Sequence, residues 1–81
     1  MLISARVTVT LKKGVLDPQG KAIEGGLASL GFSGVDSVRQ GKVFDLSLEA
    51  DSKDGASKHI ADMCEKLLAN TVIEDYSIEI D

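Results

Sequence analysis

Ile3, Ala5, Val7, Val9 and Leu11 alternate with Ser4, Arg6, Thr8, Thr10 and Lys12. This strict period of two makes one face of an extended strand apolar and the other polar. Such a strand is stable only inside a sheet whose apolar face is covered by a second layer. Two further segments repeat the pattern: Phe44, Leu46 and Leu48 alternate with Asp45, Ser47 and Glu49, and Tyr76, Ile78 and Ile80 with Ser77 and Glu79. The last of these strands is expected to span Val72 to Ile80.

The covering layer is legible between the strands. Pro18 suits the first position of a helix, where its missing N–H costs nothing, and it pushes Asp17 out of the helical region. Asp17 is thus expected as the N-cap, its carboxylate accepting from free amides of the first turn. Ala22, Ile23, Gly26, Leu27 and Leu30 come next at helical spacing. Gly31 is expected to end the helix in a left-handed residue, with Phe32 folding back on Leu27 in a Schellman motif. Val35 to Arg39 is expected as a short second strand, joined through a tight turn at Gln40-Gly41-Lys42 to the third. Asp51 or Ser52 caps a second helix with a stripe of Ala56, Ile60, Met63, Cys64 and Leu67. Asp54, Lys58, Asp62 and Lys66 lie on its other face, each four residues from an opposite charge. Asn70 is expected as a left-handed stop.

The order strand, helix, strand, strand, helix, strand predicts an α+β fold: a two-layer β-α-β-β-α-β sandwich, ferredoxin-like, with both helices on one face of an antiparallel sheet. Right-handed crossovers put the last strand beside the first and at a sheet edge. An open edge is a pairing site, so a homo-oligomer is expected, dimer or tetramer. With 81 residues, the chain is one domain, residues 1–81, and too short to house a multi-step enzyme of its own.

Composition excludes several classes. Nine basic and thirteen acidic residues leave a net charge of −4, the wrong sign for nucleic acid. Apolar runs are too short to cross a membrane, the first residues do not read as a signal peptide, and a single cysteine points to a reducing compartment, hence the cytoplasm. Residues 1 to 42 hold six bases and three acids, and residues 43 to 81 three bases and ten acids. The acids of the last segment keep an edge strand soluble or form an acidic docking surface.

Catalytic chemistry is not found. His59 is the only histidine and has no serine or cysteine partner at a strained turn. Cys64 falls on the apolar stripe, where a thiol packs rather than reacts. One histidine and one cysteine do not make a zinc site. Gly41-Lys42 resembles the end of a phosphate loop, but Asp36 stands where the loop needs glycine. No catalytic, cofactor-binding or metal residue is therefore assigned. Gly25 and Gly26 lie inside a helix, at a cost of about 1 kcal/mol each relative to alanine, and imply close packing of that helix on the sheet or on a partner.

Three segments carry more than a pattern: Val15-Leu16-Asp17-Pro18-Gln19-Gly20-Lys21-Ala22, Val38-Arg39-Gln40-Gly41-Lys42, and Met63-Cys64-Glu65-Lys66-Leu67-Leu68-Ala69-Asn70-Thr71-Val72-Ile73-Glu74-Asp75-Tyr76. In this order and spacing the chain resembles the PurS family, the small subunit of phosphoribosylformylglycinamidine (FGAM) synthase. Some members have proline where this chain has Thr71, a difference that bears on the turn there. The resemblance implies a non-catalytic subunit joining a glutaminase subunit (PurQ) to a large synthetase subunit (PurL). Their complex turns formylglycinamide ribonucleotide, glutamine and ATP into FGAM, glutamate, ADP and phosphate, the fourth step of de novo purine synthesis. ATP and magnesium are then expected on the large subunit, with none bound by this chain. The small subunit would assist ammonia transfer, since ammonia released into neutral water becomes ammonium, which is not a nucleophile. Candidate partner contacts are Leu16, Asp17, Gln19 and Lys21 at the helix start, Arg39 and Lys42 at the expected turn, and Asn70, Thr71, Glu74 and Asp75 before the last strand. Asp17 and Asn70 are explained as well by capping, whereas a turn does not require two cations. A stand-alone ferredoxin-like regulatory module binding a small metabolite between subunits is the alternative reading; it would not capture the two larger subunits.

Overall fold

The structure, a computed structural model, describes residues 1–81. β1 (Leu2–Leu11) is the centre of a three-stranded antiparallel sheet of order β2-β1-β3, with β2 at Gly41–Glu49 and β3 at Glu74–Ile80. The register sets Val7 opposite Phe44 on one side and Ile78 on the other. All the apolar members of the alternation therefore share one face. Ile3, Ala5, Val7 and Val9 on β1 are buried, while Phe44, Leu46 and Leu48 on β2 and Tyr76, Ile78 and Ile80 on β3 are half-buried. On the polar face Arg6 forms a two-pronged pair with Asp45, at 2.8 and 3.3 Å. This exposed pair holds the Asp45 carboxyl below its ordinary pKa through the guanidinium hydrogen bond, and adds little to stability.

The α+β class, the antiparallel sheet, the two helices and the edge position of the last strand are those expected. Three local features differ. First, Val35–Arg39 is not a strand. Gly34 takes φ 86, and the amides of Val38 and Gln40 donate to the carboxylates of Glu24 and Asp17, which leaves no ladder to make with β2. Gly41 does not turn; it opens β2 against β1, where a Cβ would lie 2.6 Å from the Val9 carbonyl oxygen.

Second, only one helix covers the sheet. α2 (Lys53–Met63) is capped by Ser52, whose hydroxyl accepts from Gly55 N–H at 3.0 Å. It packs on β3 and buries Ala56 and Ile60. α1 (Pro18–Ser29) buries only Gly20 and makes no comparable contact with any strand. The radius of gyration is 16.3 Å and the longest dimension 51 Å, whereas a compact chain of this length has a radius of about 12 Å. A ten-residue strand is about 33 Å long and a twelve-residue helix about 18 Å. The long axis thus holds the sheet and α1 end to end. Residues 15–40 form an arm that projects from the sheet.

Third, α2 runs on into a π-helical turn, Cys64–Leu68, closed by Ala69 N–H donating to the Cys64 carbonyl at 3.0 Å. The extra residue rotates every later side chain about the helix axis. Cys64 and Ala69 are buried, but Leu67 is 84% exposed and Met63 lies at the surface, so the expected stripe holds only as far as Cys64. Asn70 is not left-handed, since no residue other than glycine has positive φ. Ala69 is extended, and the Asn70 side chain accepts instead from Val72 N–H. That turn occupies residues 71–73 and delays β3 to Glu74. Of the expected helix-face pairs, Lys66–Asp62 closes at 3.2 Å.

The two ends of this helical segment should respond in opposite ways. Ile60→Ala should lose about 2–5 kcal/mol of stability and Leu67→Ala about 0.5 kcal/mol or less, as measured by denaturant melts. Equal losses would show that the π turn does not expose Leu67.

Candidate functional site

The base of the arm is where the sequence-predicted residues meet. Asp17 is extended (φ −111, ψ 93) and nearly buried. Its Oδ1 accepts from Gly20 N–H at 2.9 Å, as an N-cap does. Its Oδ2 accepts from Gln40 N–H at 2.7 Å, a contact across 23 residues. One carboxylate therefore holds the outgoing and returning limbs of the arm together. The hydrogen bonds from Gln40 and then Gly20 hold its carboxyl below the ordinary aspartate pKa, with the Arg39 charge adding to them. Gly20 has no alternative at this point, because a Cβ would collide with the Val38 carbonyl oxygen.

Arg39 closes the base from the other side. Its guanidinium donates to the carbonyls of Val15 at 2.8 Å, Lys12 at 3.1 Å and Leu11 at 3.5 Å. Gln40 donates its side-chain amide to Gln19, and Glu24 accepts from Val38 N–H at 3.0 Å. At the tip, Gly31 (φ 91) completes the expected Schellman motif: Phe32 N–H donates to Leu27 and Gly31 N–H to Ala28. The arm is thus fastened at both ends.

The second group of candidates reaches the same end of the sheet. Glu74 pairs with Leu11 and Asp75 with Thr10 in the β1–β3 register, just as Gly41 and Lys42 face Thr10 and Val9 in the β1–β2 register. Glu74 accepts from Asn70 N–H at 2.6 Å and lies 3.8 Å from Lys42. Asp75 lies 3.9 Å from Lys12. A cleft of about 250 Å³ runs between Gln19, Gln40, Lys42 and Glu74. A second, of about 310 Å³, is walled by Lys12, Thr71, Asp75 and Tyr76, whose hydroxyl donates to Glu65 at 2.8 Å and has its pKa raised by that carboxylate. Leu16 is exposed beside the base, and Lys21 sits a turn further along α1, 3.6 Å from Glu24. Asp17, Gln19, Arg39, Lys42, Glu74 and Asp75, distant in sequence, make one surface.

The sequence did not single out Glu24 and Gln40, although their spacing from Val38 and Gln19 becomes meaningful only once the arm folds back. Nor did it expose the arm's apolar surface: Ile23, Leu30, Phe32 and Val35 are all open to solvent. A Cβ on Gly25 or Gly26 would meet nothing within 4 Å, so packing inside this chain does not explain the two glycines. His59 is exposed, and burial pushes the Cys64 thiol up. What the surface offers chemically is shape, fixed hydrogen-bonding groups and charge. No helix is long and apolar enough to cross a membrane.

A small α+β unit with a fastened arm and a mixed-charge cleft at its base belongs to the class of proteins that act by contacting other chains. The comparisons name the particular kind. Residues 4–81 match the family PurS, phosphoribosylformylglycinamidine (FGAM) synthase. The PurS subunit of Synechocystis is 52% identical over 75 residues, covering 93% of this chain and 75% of that protein. A crystal form of Bacillus subtilis PurS superposes with TM-score 0.89 at 46% identity, over 100% of this chain and 99% of the other. A chain in the PurLQS structure of Thermotoga maritima does so with TM-score 0.89 at 33% identity, again over 100% and 99%. The chain belongs to the PurS family.

Removing the Asp17 carboxylate should open the arm. Asp17→Ala should lower the melting midpoint by at least about 5 °C, the shift that loss of one cap produces in a domain of this size. Because the folded-state pKa is depressed, its contribution is complete well above about pH 4, the unfolded value, and is lost as the pH falls through the lower folded value. The variant's disadvantage should therefore vanish in strong acid, and a constant gap between the two melting curves at every pH would contradict this. Arg39→Ala should likewise lower the midpoint, since three carbonyls lose their donor, whereas Lys42→Ala should leave it within about 2 °C.

Proposed function

We propose that this chain is the non-catalytic small subunit of an FGAM synthase assembly, holding a PurQ-type glutaminase against a PurL-type synthetase and helping ammonia pass between them. The observation that carries the reading is the full-length likeness to the chain found in the PurLQS structure. It is supported by the convergence of the resembling segments, 15–22, 38–42 and 63–76, on one end of the sheet. ATP and magnesium belong to the large subunit in this reading, and the assembly works in the cytoplasm. The chain is also a homo-oligomer: a small core with an exposed apolar arm gains stability by association.

The physical case rests on protecting a neutral nucleophile. Ammonia must travel from one active centre to another without meeting bulk water, which would protonate it. A rigid piece that fixes the two larger subunits can raise the rate with no reacting group of its own. The Asp17 and Arg39 fastenings supply the rigidity. Lys42 and Glu74, at the rim of the cleft, supply charge for a partner to read.

Reconstitution tests this. With this chain added, the two larger subunits should make FGAM from glutamine; without it, glutamine-dependent turnover should fall while turnover on added ammonium salt persists. Full glutamine-dependent turnover in its absence would refute the adaptor role. Lys42→Glu should weaken assembly by about tenfold while the melting midpoint holds; undiminished assembly would remove Lys42 from the contact.

A further inference from the structure

α1 is a helix without a seat, and the sheet has a seat without a helix. Ile23, Leu27 and Leu30 recur at i, i+4 and i+7 on one face of α1, and Phe32 and Val35 extend that surface around the tip. Leu30 is 76% exposed and Phe32 60%. Single apolar residues at a surface are ordinary, but a contiguous stripe marks a contact. Across the sheet, α2 lies against β3, and neither helix packs comparably on β2. Phe44, Leu46 and Leu48, on the apolar face of β2, are left half-buried.

In a β-α-β-β-α-β chain the first helix would ordinarily lie on that half of the sheet. The Asp17 and Arg39 fastenings prevent it by directing α1 along the long axis. The vacancy and the detached helix are therefore made by the same bonds, and every copy of the chain carries both. Size agrees: α1, about 18 Å long, covers about half the length of β2 without reaching past it. Charge agrees as well. α1 holds one base, Lys21, and one acid, Glu24, already paired with each other, so the helix is neutral although the chain is at −4. Gly25 and Gly26, with open space above them, let a neighbouring backbone approach closely.

Building on the homo-oligomer reading above, we propose that two copies of this chain exchange their arms, α1 of each lying on the Phe44, Leu46 and Leu48 face of the other's β2. Each arm fills the other's vacancy, so the contact is isologous and closes at two copies. The cleft at the arm base of one copy then stands beside the sheet of its partner. The surface offered to larger subunits is built from both copies.

The test is a photo-crosslinking amino acid at Leu30, in a mixture of ordinary and nitrogen-15-labelled copies, read by mass spectrometry of the crosslinked peptides. Exchange predicts crosslinks from one isotopic form to residues 43–48 of the other, and a native mass twice the 8.6 kDa of one chain. Leu30→Asp, a substitution at an exposed position, should return the mass to 8.6 kDa with an unchanged circular dichroism spectrum. A wild-type chain that sediments as a monomer across micromolar concentrations would overturn both the oligomer and the exchange. An oligomer that survives Leu30→Asp, with crosslinks confined to one isotopic form or falling on another element, would overturn the exchange alone. Crosslinking of Leu30 solely to the large synthetase subunit would also overturn it.

Discussion

The Asp17 carboxylate stands where two limbs of the chain would otherwise run past each other with unpaired amides. An ordinary N-cap satisfies one donor of the first helical turn. Here the second oxygen is used as well, on Gln40 N–H, and what would be a local device becomes a tertiary one. Because the group is nearly buried and charged, its hydrogen bonds are of the stronger kind, and loss of either donor would leave part of a charge unsatisfied. The direction of α1, the irregular path of residues 35–40 and the point at which β2 begins are all set by this one junction. Arg39 repeats the logic with the opposite sign, a single guanidinium serving carbonyls of Leu11, Lys12 and Val15 at the point where β1 hands over to the arm.

How much of this is legible beforehand depends on how local the cause is. The alternation from Ile3 to Leu11 is a direct image of the pleat, and its residues are buried as the pattern says. The Asp17-Pro18 start and the Gly31 stop are local rules, and both hold to the level of single hydrogen bonds. Val35–Arg39 fails because its backbone donors are claimed by Asp17 and Glu24, more than a dozen residues away. The stripe of α2 fails past Cys64 because one inserted residue in a π turn shifts every later side chain, and nothing in Cys64-Glu65-Lys66-Leu67-Leu68 marks the insertion. Asn70 is a stop, as expected, but by a side-chain turn onto Val72 rather than by a left-handed backbone.

The candidate contacts show the same division. Residue types at the helix start, near Arg39 and before β3 could be chosen from sequence, but their meeting at one end of the sheet is a product of the antiparallel register. β1 ends where β2 and β3 begin, so Lys42 and Glu74 are brought to the same edge of the sheet's end from opposite neighbours of one strand. The acids of the last segment thereby lose their uniformity: Glu74 faces Lys42 and Asp75 faces Lys12, while Glu79 and Asp81 stay at the far end. A surface that reads as acidic in sequence is, at the arm base, of mixed sign. Arg39 is a case of the opposite kind, since a cation that a turn does not require turns out to be used by the chain itself.

Rigidity and exposure usually oppose each other in a chain this small. A core of ten buried residues is little to hold an 81-residue fold together, and an apolar helix left in water lowers the stability further. Fastening the arm by hydrogen bonds at its base resolves the conflict locally: the arm is held in place without being covered, so its apolar face stays available to another chain. A helix lying on its own sheet would give a more stable single copy and a smooth outer surface, with little for a neighbour to grip. The arrangement seen here gives up intramolecular burial and keeps a preset, low-entropy contact surface, which favours association because little is left to order on binding. That is the trade expected of a chain whose task is to fix the positions of others.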